Sequence, residues 1–326
     1  MGILINFGIL IVGFIALIKG ADLFVDGSGA LARFFKVPGV IIGLTIVAMG
    51  TSAPELAVST SAALKGANEI AVSNVVGSNT FNLLMVLGIC ALINPLPIDK
   101  NILKRDFPIS IFLTALTLGF IGYPVLKRGN ILGIDMSENV SMITRTFSVI
   151  LLVLFVSYIL MLILTAHKDG DAEDENAKDL PLRRCFALIL VGMALIIAGG
   201  QFVVNSAKYI AAFFGMSETL IGLTVVALGT SLPELVTSIV ASKKKENGLA
   251  VGNVIGSNIF NILFIMGVSG TIHPIAVNFA SVTDFLILLF INLIALLLAT
   301  KKSLGRTSGA LMILCYIVFM TFAALR

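Results

Sequence analysis

Gly43-Leu-Thr-Ile-Val-Ala-Met-Gly-Thr-Ser-Ala-Pro-Glu-Leu56 decides how this chain folds. It reads as membrane helix up to Gly50-Thr51-Ser52, where a glycine, two hydroxyls, Pro54 and the ionisable Glu55 interrupt an apolar run. A carboxylate at that depth costs about 2.5–3.5 kcal/mol on insertion scales, so its presence marks a functional site. Proline removes a helical hydrogen bond, and the freed carbonyls must be satisfied by neighbours, water or a bound ion. The stretch then recurs. Gly222 to Leu235 reads Gly-Leu-Thr-Val-Val-Ala-Leu-Gly-Thr-Ser-Leu-Pro-Glu-Leu, with Glu234 at the place of Glu55.

The chain around these stretches has the composition of an integral membrane protein. Of its 326 residues 58% are hydrophobic and 12% charged, against roughly 25% charged in a soluble domain. Its mean hydropathy is +1.05. The apolar runs are of helical length, about 17–25 residues, and lack the alternation of a membrane barrel. The net charge of +4, carried by basic residues in loops, argues nothing for nucleic acid. Cys90, Cys185 and Cys315 are scattered without Cys-x-x-Cys pairing and read as small buried hydrophobes. The chain is apolar from Ile3 without a basic leader, which predicts a first membrane span rather than a cleaved signal peptide.

The apolar pattern predicts an all-α membrane protein of ten transmembrane helices, at roughly 3–24, 37–64, 69–93, 106–123, 146–166, 184–209, 217–242, 247–270, 281–299 and 306–325. Numbered from an outside N-terminus, the inside loops hold 16 of the 22 Lys plus Arg and the outside set holds 6, which favours both termini outside. The one strongly polar run, His167 to Pro181, fails a calcium-loop template begun at Asp169: Asp174 stands where glycine is required and Leu180 where glutamate is. It reads as a solvated cytoplasmic linker, 167–182, between two halves, 1–166 and 183–326.

Those halves are copies. Aligning 41–88 with 220–267 at a constant offset of 179 gives 27 identities in 48 positions, and Gly20-to-Asp26 lies over Gly199-to-Asn205 more faintly. Five spans per half is an odd number, so the second half must enter the membrane inverted. Inverted repeats with broken helices in matching positions are the plan of secondary transporters, with the site at the repeat interface.

Each half carries a second motif. Ser73-Asn-Val-Val-Gly-Ser-Asn-Thr-Phe-Asn82 matches Gly252-Asn-Val-Ile-Gly-Ser-Asn-Ile-Phe-Asn261. Helical spacing puts Ser78 with Asn82, Ser257 with Asn261 and Thr51 with Glu55 on shared faces, with Ser52 adjoining; Thr230, Ser231 and Glu234 repeat the last set. Together the halves offer two carboxylates, several hydroxyls, amide oxygens and freed carbonyls. These hard oxygen ligands suit calcium and sodium, not zinc or copper, since His167 and His273 sit in loops. Two glutamates balance one divalent cation. Individual Ser, Thr and Gly residues, including Gly43, Gly77 and Gly88, also serve backbone bonding and close helix packing. For Asn74 and Asn253, and for Asn79 and Asn258, the sequence leaves helix packing and hydrogen bonding behind the ligands both open.

In these motifs the chain resembles the sodium/calcium exchanger family of the cation/calcium exchanger superfamily, in its compact prokaryotic form. Gly50-to-Glu55 with Gly77-to-Asn82, and Gly229-to-Glu234 with Gly256-to-Asn261, look like that family's two alpha repeats. The resemblance implies a diamond of cation sites built by the second, third, seventh and eighth spans, bridged by Glu55 and Glu234. Thr51, Ser52, Ser78 and Asn82 would be ligands from the first half, with Thr230, Ser231, Ser257 and Asn261 from the second. The carbonyls of Ala48 and Ala227 would add oxygens. It further implies that the first and sixth spans slide against the rest. Some archaeal and potassium-dependent relatives carry aspartate where this chain has Asn261, so potassium dependence is not expected here.

The function expected is calcium/sodium antiport by alternating access, since an empty pair of carboxylates resists crossing low dielectric. With more than two sodium ions per calcium the membrane potential contributes about 2.3 kcal/mol per charge per 100 mV and favours calcium export from the cell. A proton/calcium antiporter is the near rival, because buried glutamates also bind protons. A hydrolase using Ser52 or Ser231 lacks a nearby base, and a passive channel would need no counter-ion. No cofactor beyond the transported ions, no protein partner and no surroundings besides the lipid bilayer are implied.

Overall fold

The computed structural model describes residues 2–66, 68–128, 131–166, 180–216, 227–300 and 303–325. In the first half, helix α1 (Gly2–Phe35) is followed by α2 (Gly39–Thr51), α3 (Ala53–Leu64) and α4 (Ile70–Ile93). Strand β1 (Leu96–Pro97), helix α5 (Ile102–Arg128), strand β2 (Asn139–Ile143) and helix α6 (Arg145–Ala166) complete it. The second half runs through α7 (Leu182–Phe213), α8 (Ala227–Thr230), α9 (Leu232–Lys243) and α10 (Asn247–Ile272). It closes with β3 (Ile275–Asn278), α11 (Phe279–Ala299), β4 (Ser303–Leu304) and α12 (Arg306–Leu325).

Among the described residues, eight helices are long and apolar enough to cross a membrane, and α2 with α3, bent by 48° across Ser52, make a ninth. Of the expected span 217–242, residues 217–226 lie outside the described residues, as does 167–179 of the linker. Several helices overrun the expected ends. The first continues from 24 to Phe35, the fourth fills Ile102–Arg128 rather than 106–123, and the sixth starts at Leu182, inside the expected linker. Hydropathy loses α1 at Asp22 and Asp26, but both carboxylates sit where a helix lets them reach Lys244.

The all-helical expectation needs one correction. β1 pairs antiparallel with β4, and β2 with β3. The strands are two to five residues long, too short for alternation to register in the sequence. Leu96 and Ile275 are 179 apart, so each half lends the strand after its central helix to a strand of the other half.

The centre of the molecule is α10, whose apolar window is 94% buried, against 11% for the lipid-facing window of α1. α1 and α7 run antiparallel at backbone contact. A Cβ on Gly192 would meet the Gly20 carbonyl at 2.7 Å, and one on Gly199 the Gly13 carbonyl at 2.7 Å. α2 and α10 run side by side in the same direction, because a Cβ on Gly252 would meet the Val40 carbonyl and one on Gly256 the Leu44 carbonyl, each at 2.7 Å. This alignment defines two ends of the bundle. Gly39, Lys244, Glu246 and the β1–β4 pair share a first face, and Lys65, the start of α4 and the β2–β3 pair lie at the second.

Candidate ion-binding site

Both copies of the opening motif break at the serine. Ser52 (φ −83°, ψ 9°) and Ser231 (φ −92°, ψ 6°) leave helical geometry for one residue, and Pro54 and Pro233 enter the first turn of α3 and α9. Proline is tolerated there because first-turn amides lack intrahelical acceptors anyway. Glu55 and Glu234 therefore stand in the first turns of α3 and α9, beside the positive ends of two broken helices. Opposite them, α4 and α10 each loosen into a single π-turn that begins at the motif asparagine, Asn82–Val86 and Asn261–Ile265. Such turns inside α-helices cluster at functional sites.

The two carboxylates are fully inside the protein, Glu55 0% and Glu234 1% exposed. Each is held by the serine of the other half. Ser52 Oγ donates to Glu234 Oε1 at 2.7 Å, and Ser231 Oγ donates to Glu55 Oε1 at 2.9 Å. Ser78 Oγ donates to Glu55 Oε1 at 3.3 Å. None of the salt bridges among the described residues involves either glutamate. Two carboxylates thus share one buried site without a basic partner among the described residues, an arrangement that is costly when both are charged unless a cation compensates it.

The asparagines resolve what the sequence left open. Asn79 Nδ2 donates to the Asn258 carbonyl and Asn258 Nδ2 to the Asn79 carbonyl, both at 3.2 Å. Their side-chain oxygens accept from the motif amides: Asn82 Nδ2 from one side at 3.2 Å, Asn261 Nδ2 from the other at 2.9 Å. The NH2 groups of Asn82 and Asn261 are thereby fixed against the opposite half, and their Oδ1 atoms are left over. Asn74 Nδ2 donates to the Glu55 carbonyl at 3.2 Å and to Ser59 Oγ at 2.9 Å. Asn253 Nδ2 does the same to the Glu234 carbonyl at 3.4 Å and Ser238 Oγ at 2.9 Å.

Five buried oxygens of the expected ligand set have no hydrogen-bond partner among the described residues: Glu55 Oε2, Glu234 Oε2, Asn82 Oδ1, Asn261 Oδ1 and Thr230 Oγ1. Four of them are two symmetry-related pairs. Native interiors satisfy nearly all buried polar atoms, so matched orphan oxygens of carboxylate and amide type are what a hard cation requires. Of the other expected ligands, Ser257 Oγ donates to the Ala48 carbonyl at 3.5 Å, and Thr51 Oγ1 reaches the same carbonyl at 3.3 Å. Ala48 also accepts the Ser52 amide at 3.0 Å, so its carbonyl is part of the helix as well as of the site. Ala227 opens α8, and its predecessors lie outside the described residues. Sequence reasoning undervalued Asn74, Asn79, Ser59 and their copies. The available signal was their identity in both halves.

Two of the three glycines weighed for packing do pack: a Cβ on Gly43 would meet Leu249 O at 2.9 Å and one on Gly88 would meet Gly309 O at 3.0 Å, whereas at Gly77 nothing described lies within 4 Å. Cys90 and Cys185 are buried and Cys315 half-buried, all three free thiols.

The chain is similar to known proteins over its whole length. The family model described as sodium/calcium exchanger protein matches residues 5–164 and 185–325. The sodium/calcium exchanger MaX1 of Methanosarcina acetivorans is 32% identical over 351 residues, covering 98% of each chain. The inner membrane protein YrbG of Escherichia coli is 35% identical over 321 residues, 96% of this chain and 94% of that one. A solved structure of the sodium-calcium exchanger NCX_Mj, soaked with sodium and strontium, superposes with a TM-score of 0.81 at 32% identity, covering 99% of this chain and 100% of that one. On the family match across both halves, this integral, multi-pass membrane chain belongs to the sodium/calcium exchanger protein family.

Proposed function

We propose that this protein is a secondary antiporter that exchanges calcium for sodium across the cell membrane by alternating access, a transporter and not an enzyme. The observation that carries the reading is the matched set of unpartnered buried oxygens, Glu55 Oε2, Glu234 Oε2, Asn82 Oδ1 and Asn261 Oδ1. Calcium takes 6–8 hard oxygens, and two carboxylates neutralise it. Thr51, Ser52, Ser78, Thr230, Ser231 and Ser257, with the Ala48 and Ala227 carbonyls, complete the ligand set for calcium or for the sodium ions that compete with it. A site left with two uncompensated carboxylates resists changing sides, which couples the two ions.

The plan we assign is ten spans as two inverted five-helix repeats, 1–166 and 183–326, joined by a cytoplasmic linker at 167–182. The constant offset of 179, the exchanged strand pairs and the reciprocal asparagines support it. Both termini are then outside, the first face is cytoplasmic, and calcium leaves the cell when more than two sodium ions enter. Sodium-gradient-driven calcium uptake into reconstituted vesicles, with pH clamped, is the test. Uptake that follows sodium supports the proposal. Uptake driven only by a proton gradient replaces it with proton/calcium antiport, and calcium flux without any counter-ion replaces it with a channel.

A further inference from the structure

The site repeats its serine–glutamate bonds across the halves and its amide bonds, but Ser78 donates to Glu55 where Ser257 donates to the Ala48 carbonyl, and a second difference lies behind the ligands. Thr51 Oγ1 lies 2.9 Å from Asn253 Oδ1 and donates to it. The repeat equivalents are Thr230 and Asn74, 179 residues away in each case. There the bond is not made: Thr230 Oγ1 is buried without a partner among the described residues. The rest of the local pattern is preserved, since Asn74 and Asn253 each hold the glutamate carbonyl and the serine four residues beyond it.

This asymmetry follows the shape of the molecule. Asn253 lies six residues into α10 from the first face and is 0% exposed. Asn74, its repeat equivalent near the second-face end of α4, is half-buried, and Ser73 beside it is exposed. A cavity of about 360 Å³ opens on the second-face side, lined by Ala57, Val58, Ser61, Ala62, Lys65 and Ile70. At the equivalent positions Thr237, Val240, Ala241 and Leu249 are buried, and Val240, Ala241 and Leu249 share one apolar cluster with Ala21, Phe24 and Val25 of α1. Among the described residues the molecule is therefore closed at the first face, where the threonine–asparagine bond is made, and looser at the second, where it is not.

We propose that Thr51–Asn253 and Thr230–Asn74 are alternative bonds, one made in each access state, so that Asn253 and Asn74 are positioning residues that set the balance between the two states. Neither amide needs to touch the ion. Each carries the glutamate backbone on its NH2 group in both states, and its oxygen takes the threonine only when its own face is closed. The inference rests on the antiport reading, because alternate bonds have meaning only if the site opens to both sides.

One net hydrogen bond corresponds to about a threefold to tenfold shift in a two-state equilibrium. The test is calcium–calcium self-exchange of the full chain in vesicles of fixed orientation, with the half-saturating calcium measured at each face. For Asn253→Ala, the ratio of second-face to first-face values is expected to rise by about threefold to tenfold, as the state open to the second face is depopulated. For Asn74→Ala the same ratio is expected to fall by a similar factor. A purely structural role would weaken both faces alike and leave the ratio at the wild-type value in both variants, which would overturn the proposal. Where an amide variant does not reconstitute, Ser238→Ala and Ser59→Ala free the same amides and are expected to move the ratio in the same opposed directions, to a smaller extent. Unchanged ratios there are equally fatal. Wild-type protein without sodium-driven calcium flux would sink the antiport reading itself, whereas flux with unmoved ratios sinks only the alternating bonds.

Discussion

Glu55 and Glu234 each use one carboxylate oxygen on the other half's serine and keep the second free of any described partner. A glutamine at either place keeps the volume and the serine bond but removes one of the two charges that balance a divalent ion. Removing one partner of a buried charge pair costs about 3–5 kcal/mol, a hundredfold or more in binding. Glu55→Gln and Glu234→Gln are each expected to reduce sodium-driven calcium uptake to about 1% of wild type or less. Their melting temperatures in detergent should stay at or above the wild-type value, since each variant relieves one uncompensated charge. Near-normal exchange in either variant would overturn the ligand assignment. The burial of both glutamates in one place was legible in the sequence because each stands in a duplicated, proline-broken apolar run. The asparagine roles were not. An amide four residues from a serine reads alike as packing, ligand or brace, and only the reciprocal Asn79–Asn258 bonds separate these.

At the scale of elements, the broken helices were readable from Gly-Thr-Ser-x-Pro-Glu because proline has no amide hydrogen to continue a helix and fits only its first turn, and glycine weakens the helix before it. Helix ends were less so. α1 continues eleven residues beyond the expected end at 24 to Phe35 because its acidic residues gain partners that hydropathy does not count. The α1–α7 contact was also hidden, since glycines at 13, 20, 192 and 199 are unremarkable in an apolar span until their partners are known. If these helices slide as one body, their mutual contact must stay shut while their contact with the rest changes. A Cβ on Gly192 would lie 2.6 Å from the Phe24 amide nitrogen, with backbone rather than a flexible side chain in the way. Gly192→Ala is therefore expected to destabilise the protein by about 1–3 kcal/mol, the usual cost of overpacking, and to slow exchange. Gly8→Ala is the control, because nothing described lies within 4 Å of that position. Equal melting temperatures for the two variants would show that the α1–α7 seam has slack.

Across the whole molecule, the two faces carry different chemistry for closing. At the first face Lys244 Nζ lies 2.7 Å from Asp26 Oδ1 and 3.5 Å from Asp22 Oδ1, and Arg33 pairs with Glu246 at 3.2 Å. In the sequence repeat Lys65 aligns with Lys244, Gln201 and Asn205 with Asp22 and Asp26, and Ala212 and Ala67 with Arg33 and Glu246. α1 therefore has acidic residues to clasp the lysine at the first face, whereas α7 carries no Asp or Glu. These pairs are partly exposed, so each contributes no more than about 1 kcal/mol. That is nothing to global stability but a factor of several in the balance between two access states. Ser242, completely buried two residues before Lys244, reports on this closure. In a Ser242→Cys background, adding Lys244→Gln is expected to raise the labelling rate by a membrane-impermeant thiol reagent at the first face about twofold to fivefold. Raising the salt to 1 M, where the screening length falls to about 3 Å, should raise the rate in the lysine-containing protein and leave the Lys244→Gln protein nearly unchanged. A salt response of equal size in both would assign the closure to the apolar α1–α9 contact alone, with the ion pairs as bystanders.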